Sequence, residues 1–325
     1  MRPAATWQYA AVVIAVVFLS AQVIRTGAAL RAHDSTSHRG AGGAKAASAP
    51  DTGRRTASPR PAARPPARAA GPDARLAAAL APILRWHAGM LAVGVSDPAT
   101  GITATYDASR PFDTASIVKA DILAVLLLRH QQIGTALSEH EKELAARMIE
   151  NSDNNAASAL WDDVQQGLGL QAGNAALGLR GIVPGPGGYW GLTTTTAAGQ
   201  LGLLSALTSP HSPLHAGARR YELGLLRAVE PAQHWGVTAA AAARTRPAVK
   251  NGWLPVGPGG QWVINSIGII SHAGQQLLVV VLSCGQPSEA AGIDQVQAAA
   301  RAAASAITTA GTPAVPAAPG AARNP

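Results

Sequence analysis

One cysteine, Cys284, in 325 residues excludes an intramolecular disulfide. It closes an apolar run and reads as a small buried residue, with no histidine near it in sequence to activate the thiol. Lysine is almost as scarce: Lys45, Lys119, Lys142 and Lys250 are the only four among 26 basic residues. Metal chemistry has little to work with. His211 and His215 have a ligand-like spacing, but Pro213 between them reads as a loop, and no metal is expected. Phosphate-binding loops are missing too. Gly257-Pro258-Gly259-Gly260 reads as a turn between strands, and the surroundings of Pro184 to Gly188 do not suit a nucleotide. No cofactor is expected.

The net charge of +8 and pI of about 10.4 suggest a nucleic-acid binder until the charges are located. Residues 25–75 carry ten basic and three acidic side chains, and Arg2 adds one more charge, which leaves residues 76–325 neutral. Nucleic acid is therefore not an expected partner. Residues 29–73 are dominated by Ala, Arg, Pro, Ser and Gly and read as a disordered linker, and 311–325 read as a similar tail. Tyr9 to Ile24 is apolar behind Arg2, so residues 1–28 read as a signal peptide or membrane anchor. Arg25, Arg31 and Arg39 sit poorly with the positive-inside rule, but long domains translocate despite such flanks. An extracytoplasmic domain is expected, secreted or touching the membrane through residues 9–24 if that segment stays uncleaved.

The stretch 74–310 reads as one folded domain of α+β class. Ala74 to Trp86 has helical patterning. Leu91 to Val95 and Ile102 to Tyr106 form a hairpin turning at Pro98-Ala99-Thr100-Gly101. A helical middle follows, including Glu139 to Glu150 and Ala197 to Leu207. A short strand at Arg246 to Trp253, a hairpin of Gln261 to Ile270 and Leu277 to Leu282, and an Ala-rich helix at Ile293 to Ile307 complete it.

Within that domain Ser116-Ile117-Val118-Lys119 opens a helix that is apolar nearly all round, Ala120 to Leu128. Asp113 and Thr114 are plausible caps just upstream. Residues three apart share a helix face, so Lys119 can reach the hydroxyl of Ser116. A serine hydroxyl needs a neighbouring base, and a lysine serves only when burial lowers its pKa. In a chain that strongly prefers arginine, a lysine inside an apolar helix calls for a chemical reason. Ser152-Asp153-Asn154 follows where a polar helix gives way to a loop, and Lys250-Asn251-Gly252 lies on a short strand before Trp253. Each is common alone; the ordered trio is not.

With these three motifs the chain resembles the penicillin-recognising serine hydrolases, most closely the class A β-lactamases, over roughly residues 75–309. The resemblance implies a β-lactamase/transpeptidase-like α/β/α sandwich: one antiparallel sheet, terminal helices on one face and a reduced helical lobe on the other. It implies Ser116 as nucleophile, Lys119 as general base and Ser152 as the residue that passes a proton to the leaving atom. Lys250 would supply positive charge for a substrate carboxylate and tune Ser152. Asn154 would hold the substrate amide, the amide of Asn251 would donate to the carboxylate, and Gly252 would leave the strand edge open to substrate. Asp153 would brace its loop, and the N–H groups of Ser116 and Trp253 would form the oxyanion hole. The implied substrate is a β-lactam or cell-wall peptide, acted on by a monomer; the alternative is a protein that binds such ligands without turnover. Two features depart from the pattern. Asn251 replaces a hydroxyl residue, and the interval Gly181 to Thr196, where a class A enzyme keeps its deacylating glutamate, contains no carboxylate. Asp162 and Asp163 read as solvated helix residues. A slow deacylation follows from this reading.

Overall fold

A computed structural model describes residues 70–257 and 259–308, and the expected N-terminal apolar segment, most of the linker and the tail lie outside them. Helix α1 (Pro72–Trp86) begins two residues before the predicted start. Proline in its first turn lacks an N–H that would go unpaired anyway, and Asp73 lies beside it at the positive end of the helix. Asp73 also accepts from the backbone N–H of Thr105 at 2.7 Å, which ties α1 to the sheet.

Strands β1 (Met90–Asp97) and β2 (Ile102–Tyr106) form the predicted hairpin. The Asp97 carboxylate organises its turn by accepting from Ala99 N and Thr100 Oγ1, both at 2.9 Å. Two residues at Phe112–Asp113 form β3. They pair with β5 (Thr194–Thr195), which also pairs with β4 (Ile182–Val183), in a small second sheet. Near the C-terminal end come β6 (Ala248–Val256), β7 (Gln261–His272) and β8 (Gln275–Gln286). The main sheet is antiparallel with order β2-β1-β8-β7-β6, so the strand carrying the third motif is an outer edge. Central β8 is buried without a break from Leu277 to Ser283, because both of its faces are covered.

Helix α8 (Glu289–Thr308) lies with α1 on one face. Its alanines 299, 300, 303 and 304 are fully buried, and Gly292 lets the helix approach Ile264, where a Cβ would sit 2.4 Å from Cγ1. The other face is covered by α6 (Ala197–Thr208) and the helical lobe: α2 (Val118–Ile133), α3 (Glu139–Glu150), α4 (Asn154–Asp163), α5 (Gln166–Ala176) and α7 (Ala216–Arg227). α2 is the pillar of this lobe. Every residue from Val118 to Leu128 is buried, and Gly134 ends the helix in a left-handed conformation, φ 71°. Among the described residues no helix is long and apolar enough to cross a membrane.

Candidate active site

The chain enters α2 through a single 3₁₀ turn, Ala115–Ile117, and Ser116 sits in that turn rather than in the helix proper. Neither expected cap works through its side chain: Thr114 Oγ1 is buried without a partner. The turn is held instead by the backbone. Ala115 is forced to φ 47°, a left-handed conformation costing on the order of 1–3 kcal/mol for a residue with a Cβ. Asn265 on β7 donates to the carbonyls of Asp113 and Thr114 at 2.8 and 3.1 Å. Gly252 on β6 presses from the side. A Cβ there would lie 2.7 Å from Thr114 O, 2.8 Å from Ser116 N and 2.9 Å from Ile117 N. Gly252 was expected to leave the strand edge open to substrate; the space its missing side chain leaves is taken up by the turn of Ser116.

Lys119 is fully buried one turn further on. Its Nζ donates to Ser152 O at 2.6 Å, Asn154 Oδ1 at 2.7 Å and Ser152 Oγ at 3.1 Å. The Trp190 ring stands over the same nitrogen, 4.8 Å from centroid to Nζ. No hydrogen bond joins Lys119 to Ser116. The expected Ser116–Lys119 pair is thus offset, and the lysine is coupled directly to the second motif. Burial, with Lys250 nearby, lowers the pKa of Lys119 to about 6. Three acceptors and an indole face stabilise the ammonium; when the proton leaves, the freed lone pair lies beside the Ser152 hydroxyl.

Ser152 reaches this position because its backbone also takes a positive φ, 56°. Asp153 then caps α4, its carboxylate accepting from Ala156 N at 2.7 Å and from Arg147 at 3.0 Å. Those bonds lower its pKa and leave it bracing the loop, as its place in the motif suggested. Asn154, first residue of α4, faces the cleft.

Lys250 is also fully buried, its Nζ donating to Asn251 O at 3.2 Å. Burial lowers its pKa to about 7, opposed by Glu230. Asn251 points away from the cleft. Its Nδ2 donates to Gln233 O at 2.7 Å and Trp235 O at 3.3 Å, and its Oδ1 accepts from Ser266 at 2.6 Å. Adjacent strand residues alternate faces, so an amide committed to segment 233–235 has no donor left for substrate. The expectation for Asn251 is corrected accordingly: it anchors the cleft wall.

Ser116, Ser152, Asn154 and Trp253 line one cleft of about 360 Å³ together with Asn151, Glu230, Ala232, Gln233, Trp235 and Glu289. Of the eight residues proposed from sequence, four line it; Lys119 and Lys250 stand behind its wall, and Asn251 and Gly252 build its frame. The Gly/Pro-rich interval 181–196 contributes Trp190 where the resemblance called for a glutamate, with the indole N–H bonded to Ser158 at 3.2 Å. Sequence reasoning missed Trp190, Glu230, Trp235 and Glu289. Tryptophans in Gly/Pro-rich loops were the available signal, since such loops offer no core for an indole to fill.

No protein-family model and no curated protein matches the chain. Solved structures do. A β-lactamase from Xanthomonas campestris superposes with a TM-score of 0.61 at 21% identity, covering 73% of this chain and 99% of that one. A class A β-lactamase from Mycobacterium abscessus gives 0.61 at 20%, covering 72% and 99%. An ancestral class A β-lactamase gives 0.59 at 22%, covering 71% and 99%. The fold of this chain is that of the class A β-lactamases.

Proposed function

We propose that the protein is a serine acyl-transfer enzyme that forms a long-lived ester at Ser116. The observation that carries this reading is that Ser116, Ser152 and Asn154 line one cleft, with a buried lysine of lowered pKa hydrogen-bonded to Ser152. Ser116 Oγ attacks the carbonyl carbon of an amide, β-lactam or ester, and its proton passes to neutral Lys119. The carbonyl oxygen is received by the N–H groups of Ser116 and Trp253, fixed donors typically worth a few kcal/mol. Ser152, already bonded to Lys119 Nζ, returns the proton to the leaving nitrogen or oxygen as the tetrahedral intermediate collapses. Acyl-Ser116 and a protonated leaving group result.

Release is where the site is poor. The interval 181–196 supplies no carboxylate, and an indole lies over Lys119. General-base assistance typically contributes ~10²–10⁴-fold, so water attack on the ester is slow without it. This favours a protein that holds its acyl group over a rapid hydrolase. The apolar segment 9–24 supports a place outside the cytoplasmic membrane. Intact-protein mass spectrometry after exposure to a penicillin and to an activated ester tests the reading. A single adduct on the wild type and none on Ser116→Ala is the expected result; an adduct that survives Ser116→Ala places the nucleophile elsewhere.

A further inference from the structure

The cleft carries negative charge where a carboxylate-binding site needs positive. Among the described residues its charged lining residues are Glu230 and Glu289, with no lysine or arginine beside them. Lys250 sits behind the wall with its ammonium on a backbone carbonyl and Glu230 as its opposing charge. Asn251 has turned its amide away. Glu230 is held in place: its Oε1 accepts from Gln233 Nε2 at 2.6 Å, and its Oε2 from Asn151 Nδ2 at 3.4 Å. These donors lower its pKa, so it stays ionised near neutrality and is a weak base. Trp235 and Trp253 line the same cleft, 5.8 Å apart with rings crossing at 67°. Indole faces beside a carboxylate form a surface that favours cations over anions.

Resting on the acyl-transfer reading above, we infer that the cleft selects acyl donors bearing an ammonium group, which Glu230 recognises beside Ser152, and discriminates against donors with a free carboxylate there. A peptide whose side chain ends in an amine is the matching class. Glu230 is then a specificity residue, and its charge rather than its basicity matters.

Three p-nitrophenyl esters of equal reach test this: those of 6-aminohexanoic acid, hexanoic acid and, as the monoester, adipic acid. Acylation of the wild type is expected to favour the aminated ester about fivefold over the neutral one, the upper range for a solvent-accessible ion pair, and by more over the carboxylate. Glu230→Gln should erase that order. A purely structural or general-base role would instead slow all three alike, and equal rates or a preference for the carboxylate in the wild type would overturn the inference. Should no ester label Ser116, the acyl-transfer reading fails by itself. Tryptophan fluorescence of Ser116→Ala with the three corresponding primary amides still decides the selectivity: tighter binding of the aminated amide supports it, and equal or weaker binding overturns it.

Discussion

Lys119 and Asp121 stand two residues apart on α2, both fully buried, and burial drives each towards its neutral form from opposite sides. What surrounds them differs. Lys119 Nζ has three hydrogen-bond acceptors, and the cleft with Ser116 lies alongside. Around Asp121 the helical lobe closes on a set of acceptors with too few donors. Asn174 donates to Asp121 Oδ2 at 3.1 Å, while Asp121 Oδ1, Asn174 Oδ1 and both oxygens of Glu222 find nothing. The Asp121 pKa rises to about 7, and that of Glu222 well above the ordinary value, in part because Asp121 is close. On the proposed reading one shift prepares a base for a substrate; the other is a cost of burial that only a proton relieves. A perturbed pKa becomes chemistry when a nucleophile and a cleft adjoin it.

The largest effect that would break this contrast is on rate. Lys119→Ala should lower acylation of Ser116 by ~10²–10⁴-fold, measured as burst-phase p-nitrophenol release, whereas Asp121→Asn should leave the burst unchanged. Comparable losses in the two variants would mean that α2 contributes by packing alone.

Second is stability against pH. The native state binds the Asp121 proton more tightly than the unfolded chain, so its contribution is fully present below about pH 4 and is lost as pH rises through about 7. A rise from 3.8 to about 7 corresponds to roughly 4 kcal/mol as an upper figure. Urea unfolding at pH 5 and pH 8 should show a steep loss in the wild type. Asp121→Asn, whose amide brings a donor to the orphaned acceptors, should flatten it and raise the midpoint at pH 8.

Third comes the acylation profile. Lys119 must lose its proton to act, so the acylation rate should rise through about pH 6, with Lys250 broadening the transition towards 7. A rate that is flat from pH 5 to 8 would separate the chemistry from Lys119. Smallest is Gly252→Ala. Its new Cβ would push against the turn of Ser116 and should cost about 1–3 kcal/mol of stability while slowing acylation, read from thermal melts and the same burst.

How far the sequence was legible follows the same division. The apolar run of α2, the β1–β2 and β7–β8 hairpins and the Ala-rich α8 announce themselves because one periodicity decides each of them. The Ala273-Gly274 turn even shows its paired positive φ values, 48° and 79°. Strands β3, β4 and β5 did not, since two residues carry no period. In the site, the three motifs supplied Ser116 and both buried lysines but not their aim. Asn251 faces the wall because strand alternation fixes its side, and its partners Gln233 and Trp235 arrive from a loop 16 to 18 residues away. Glu230 and Trp190 likewise come from irregular segments whose path depends on tertiary contacts.

The chain itself offers the most direct test of Lys119 as a neutral base. With four lysines in all, ¹³Cε-labelled lysine gives four resonances, assignable by single Lys→Arg replacement. Following them from pH 4 to 11, the account predicts that the Lys119 signal titrates near 6 and the Lys250 signal near 7. A Lys119 resonance that moves only above pH 9 would contradict it, because the residue beside Ser152 would then be an ammonium throughout the neutral range.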